Sequence, residues 1–178
     1  VLRGDQGPEV LALFENVIDE FDDLSRQSAS EQERRESAIG RFTTFRYVVG
    51  FQRHFLGRFV LPRSQQIFTR QEALKRCHQL LEEMAASNVV SVSELALLRA
   101  RAAQTAGNVY LEMGRVDQAS QAYHESYALY QLHAPGDEEH LAIIECYLAK
   151  VHLERAKAVF RDSSELGGFR FTREFRAR

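Results

Sequence analysis

The sequence predicts an all-α fold, about six helices in stacked antiparallel hairpins, and three observations carry that expectation. Apolar residues recur at three- and four-residue steps along most of the chain. Helix-opening Ser/Thr-x-x-Glu pairs occur three times, at Ser30/Glu33, Thr69/Glu72 and Ser91/Glu94. Only 3 prolines, Pro8, Pro62 and Pro135, interrupt 178 residues, and so few breakers leave room for long helices. The 44% hydrophobic and 27% charged content is an ordinary globular balance. The length is enough for one domain with its own core, placed at 1–162 and followed by a short arm at 163–178.

The first helix runs from near Pro8, a residue suited to the first helical position, to Arg26. Val10, Leu11, Phe14, Val17, Ile18, Phe21 and Leu24 form its inward stripe. Ser30 with Glu33 opens a second helix, which Pro62 stops at about Leu61. Its apolar face is Phe42, Phe45, Val49, Leu56 and Phe59, and Gly50 marks a kink. Thr69 opens a third helix to about Ala86, with Leu74, Cys77, Leu80, Leu81 and Met84 inward. Ser91 opens a fourth to Met113, closed by Gly114. A fifth spans about Val116 to His133. After the turn at Ala134 to Asp137, a last helix capped by Asp137 runs from about Glu138 to Arg161.

Residues 100 to 133 resemble the 34-residue tetratricopeptide (TPR) pattern, two antiparallel helices with small residues where they cross. Ala106 and Gly107 take the Leu-Gly place, and Tyr110 the aromatic place after it. Gly114 takes the turn glycine, Ala119 the early small place of the second helix, Tyr123 its aromatic place and Ser126 the next small place. Ala103 stands at the opening Trp place and Gln131 at the closing Pro place. The resemblance implies a helical solenoid with one good unit at 100–133 and degenerate neighbours. It also implies that Gln104, Asn108, Leu111 and Glu112, on the first-helix face that such repeats present, contact a partner. Asn108 falls where chaperone-carboxylate clamps place an Asn, but the clamp's Lys place is Gln104.

Charge divides the chain. Residues 1 to 36 hold ten acids against four arginines, whereas Ser37 to Gln71 holds no acid at all. That stretch interleaves Arg41, Arg46, Arg53 and Arg58 with Phe42, Phe45, Phe51, Phe55 and Phe59. Three readings follow. The acidic first helix pairs internally with the basic second; the arginine face docks an acidic protein or an RNA backbone; or it lies on an anionic membrane. In the arm, Phe169, Phe171 and Phe175 alternate with arginines and would anchor in a neighbour's groove. Glu15, Asp19 and Asp22 or Asp23 share one helical face, which is a cation site, an acidic docking stripe or the solvated side of an amphipathic helix.

No P-loop, GxGxxG, HExxH or GxSxG pattern occurs. His78 and Glu82 share a helix face, but one imidazole and one carboxylate do not complete a metal site. The expectation is a non-enzymatic protein with no cofactor, metal or membrane span. It would be a TPR-like scaffold or accessory subunit bound to other protein subunits of a larger complex. The alternative is an RNA-associated subunit of a ribonucleoprotein, using the Arg/Phe-rich segment 38–71. Cys77 and Cys146, without CxxC spacing, favour a reducing intracellular compartment. A first residue that is not Met, with 20 of 23 cations arginine, is compatible with a processed, imported mitochondrial protein.

Overall fold

Short polar side chains start three of the helices. In the computed structural model, which describes residues 7–27, 30–51, 58–60 and 67–166, the order is α1 (Gly7–Gln27), α2 (Glu31–Phe51), β1 (Arg58–Val60), β2 (Ile67–Thr69), α3 (Arg70–Ser87), α4 (Val92–Glu112), α5 (Val116–His133) and α6 (Glu138–Leu166). Ahead of α2 the capping box is complete: the Ser30 N–H donates to Glu33 Oε2 and the Glu33 N–H donates to Ser30 Oγ, both at 3.2 Å. At α4, Ser91 Oγ accepts the Glu94 N–H at 3.2 Å. The Glu94 carboxylate turns instead to Arg35 on α2, which grips it through Nε at 3.0 Å and Nη2 at 2.6 Å. Asp137 caps α6 by accepting the His140 N–H at 3.2 Å, with His140 Nδ1 2.8 Å from the same oxygen. These hydrogen bonds hold the Asp137 carboxyl below its ordinary pKa.

The ends are equally local. Asn88, at φ 53°, closes α3 in the left-handed conformation that asparagine tolerates. Gly114, at φ 72°, closes α4 in a Schellman motif: the Arg115 N–H donates to Tyr110 O at 2.9 Å and the Gly114 N–H to Leu111 O at 3.1 Å.

The second helix is shorter than the sequence predicts. It ends at Phe51, and residues 58–60 pair antiparallel with 67–69, Phe59 opposite Phe68. The two strands are runs of aromatic and β-branched residues on either side of Pro62. Such residues fit a pleated ribbon better than a helix already weakened by Gly50 and Gly57. The expected inward position Phe59 thus lies in β1 and not in the helix; Leu56 lies outside the described residues.

Each helix packs on its neighbours in the chain, and α2 also reaches α4. One core joins α2, α3 and α4 through Phe42, Phe45, Val49, Cys77, Leu80, Met84 and Leu98. A second joins α4, α5 and α6 through Ala100, Ala119, Tyr123, Tyr130, Ile144 and Val151. Two helix crossings are built alike. In one, the Ser37 hydroxyl donates to Phe21 O at 2.6 Å, and Gly40 faces the Phe21 ring so closely that an added Cβ would lie 2.3 Å from it. In the other, the Ser126 hydroxyl donates to Ala100 O at 2.8 Å, and Gly107 faces Tyr123.

The α1 stripe is wider than its partner can cover. Phe14, Ile18 and Phe21 are half-buried, whereas Leu13, Val17 and Leu24 remain exposed. Glu15, expected on a solvated face, is only 3% exposed.

The cysteines differ in kind. Cys77 is buried, and burial pushes its thiol up to about 12 despite the nearby Arg46 charge. At pH 8 its thiolate fraction is about 10⁻⁴. Cys146 is exposed on α6. Native protein treated with a thiol-alkylating reagent should take up one equivalent quickly, at Cys146, and the second only on denaturation. Peptide mapping of the alkylated chain checks this; early label on Cys77 would contradict its burial.

Candidate functional site

A trough opens where α3 and α5 flank α4 without closing over it. Its floor is low because its residues are small: Ala103 and Ala106 from α4 and Ala122 from α5, with Leu81 of α3 along one side. Arg99, Ala103, Ala106 and Tyr110 follow one another at helical steps and so share one face of α4. The hollow has a volume of about 410 Å³. A second hollow of about 320 Å³, beside Lys75 and Arg115, has His78 and Tyr110 in common with it.

The rim is polar and graded. Lys75 and Arg115 stand at one end; Glu82, Arg99 and Glu125 stand at the other, with Gln118 and Gln121 between the walls. Among the described residues, Lys75, Arg99 and Arg115 have no ion-pair partner. Unengaged guanidinium and ammonium groups beside an alanine floor suit a polypeptide segment laid lengthwise. The floor takes its apolar side chains, and the rim takes its carbonyls and carboxylates. Among the described residues, no group of three or more His, Cys, Asp or Glu is placed to hold a metal ion.

No family model, curated protein or solved structure matches the chain. The site is therefore defined by its own geometry, and that geometry separates it from the residues singled out in the sequence. Gln104, Asn108, Leu111 and Glu112 lie on the face of α4 turned away from the trough. Asn108 Oδ1 accepts the Tyr123 hydroxyl at 2.8 Å, which ties it into the α4–α5 hairpin. Leu111 packs against the second core, Gln104 is half-buried and Glu112 is exposed.

Arg41 is taken up inside the fold. Its side chain is 18% exposed, with Nε 2.7 Å from Asp22 Oδ1 of α1 and Nη1 4.0 Å from Glu83 of α3. The Nε–Asp22 contact is an ion pair whose N–H is out of line for a hydrogen bond. At this position the acidic first helix pairs with the basic second. The Arg46 guanidinium lies 4.8 Å over the Tyr47 ring, and its buried Nε has no hydrogen-bond partner among the described residues. Arg53, Phe169, Phe171 and Phe175 lie outside the described residues, as does the side chain of Arg58 in β1. No helix of the described residues is long and apolar enough to cross a membrane.

Sequence reasoning did not single out Lys75, Arg99 or Arg115. One signal was present: alanines at 103 and 106, in step with Arg99 and Tyr110, mark a helix face too small to fill its own side.

Proposed function

We propose that the protein is a non-catalytic, TPR-like helical scaffold or accessory subunit of a larger multiprotein assembly. It holds a segment of a partner polypeptide in the trough between α3 and α5. The observation that carries this reading is the trough itself: open, alanine-floored, and bordered by Lys75, Arg99 and Arg115, which have no ion-pair partner among the described residues. The TPR-like part of the reading draws support from the positions that carry the resemblance. Gly107 meets Tyr123, Ala119 is fully buried, and Gly114 turns the chain. The RNA-associated alternative, using segment 38–71, draws less support because Arg41 is committed to Asp22 and Glu83.

The test is the native mass of the complex in source extract, with and without nuclease. Wild-type chain is compared with an Arg99→Glu/Gln121→Trp double variant. Both side chains are exposed, so the thermal melt should not move. The particle should survive nuclease, and the double variant should lose about tenfold of its co-purifying partner. Collapse of the particle under nuclease, or indifference to the trough substitutions, would overturn the reading.

A further inference from the structure

The second hollow is lined by groups of one sign. Lys75 and His78 of α3 and Arg115 at the start of α5 stand around it, and among the described residues no carboxylate lines it. Its other polar groups are the Gln71 amide and the Tyr110 hydroxyl. Its floor is apolar: Leu74 is 6% and Val109 3% exposed. A hollow lined by one sign of charge concentrates the opposite ion.

The acids within three residues of Lys75 and Arg115 are Glu72, Glu112 and Asp117, and none of them neutralises these cations. Asp117 pairs with Arg155 at 2.9 Å, and Glu72 and Glu112 interact with groups other than Lys75, His78 or Arg115. Arg115 holds the N-cap position of α5, but its side chain makes no capping hydrogen bond. The first hollow differs. Glu82 and Glu125 line it together with Arg99, so two acids face one fixed cation. Between two hollows that have His78 and Tyr110 in common, the balance of charge changes sign.

We infer that the second hollow is the subsite for an acidic residue of the segment held in the trough, its carboxylate taken by Lys75 and Arg115 and its stem laid on Leu74 and Val109. The inference rests on the trough reading and adds a direction to it: the segment is acidic toward Arg115 and neutral or basic toward Glu82 and Glu125. The change of sign selects a polypeptide. A nucleic-acid strand carries a phosphate at every step, and one following the trough would bring its phosphates against Glu82 and Glu125. A peptide can change sign from one residue to the next. Because Lys75 and Arg115 are exposed, their contact with a carboxylate governs the choice and direction of the segment more than its affinity.

The test is carbodiimide cross-linking of the native complex in source extract, since this reagent joins an ammonium group to a carboxylate in contact with it. Peptide mapping should find Lys75 joined to an Asp or Glu of the co-purifying partner; a complex in which Lys75 takes up no partner carboxylate overturns the inference. Lys75→Gln/Arg115→Gln should reduce the co-purifying partner about tenfold. The thermal melt should not move, since both side chains are exposed. Retention lost on phosphatase treatment overturns the carboxylate in favour of a phosphorylated residue, and retention lost under nuclease overturns the polypeptide. Indifference to Lys75→Gln/Arg115→Gln, with the partner still lost on Arg99→Glu/Gln121→Trp, overturns the subsite and leaves the trough standing. Indifference to both pairs removes the trough reading and the subsite with it.

Discussion

Gly107→Val should lower the stability of the protein by about 3 kcal/mol and split the α4–α5 hairpin. An added Cβ at this position would lie 2.5 Å from Tyr123 Cε1, 2.7 Å from Cδ1 and 2.8 Å from Cζ. The ring has nowhere to retreat. It is fully buried, stacked on Tyr147 with centroids 5.2 Å apart and planes within 4°, and its hydroxyl is held by Asn108. Gly107→Ala is the sharper comparison. Alanine gains about 1 kcal/mol of helix propensity over glycine, yet here the clash should outweigh it. Urea denaturation would report a lower midpoint at unchanged slope. A stabilised Gly107→Ala would show that the two helices do not approach this closely.

That crossing was readable because it is local. Gly107, Gly114, Ala119 and Tyr123 sit within one hairpin, where spacing alone decides who meets whom. The same holds for the helix limits. The fifth helix spans Val116–His133 as expected, and the last overruns its expected end at Arg161, since nothing in the sequence stops it before Gly167. The second helix was misjudged where two signals competed. Phe42, Phe45 and Val49 carry a helical step, but past Phe51 the aromatic and β-branched runs around Pro62 pair with each other. A ribbon three residues long has too few positions for its two-residue period to stand out. The trough was not readable, because it depends on how far apart two helices stand that are not neighbours in the chain. The fate of the arginines was readable only as a set of alternatives. Whether Arg41 faces outward or inward is fixed by the angle at which α1 crosses α2, which no spacing reports.

Phe42→Ala should cost about 4 kcal/mol, the largest loss expected from truncating a single aromatic ring in this chain. Phe42 is completely buried in the core shared by α2, α3 and α4, where Cys77, Leu80 and Met84 are also closed to solvent. Removing the ring leaves a cavity that three helices line, and α2 cannot collapse into it freely while Arg35 holds Glu94 of α4. Tyr47→Ala, one turn further along the same helix, removes a ring that is 56% exposed and should cost less than about 1 kcal/mol, mainly the contact with Arg46. Thermal melts of the two variants side by side would separate a core position from a surface one. Equal losses would place Phe42 at the surface and contradict the burial described above.

The packing of each helix on its neighbours grades rigidity along the molecule. The helix α4 is held by α2, α3 and α5 together, whereas α1 and α6 each rest mainly on one companion. The free energy needed to open the backbone therefore climbs from both ends toward α4. Whatever grips an end helix works against the softest part of the chain. Its binding would register as a gain in thermal endurance rather than as a change of shape.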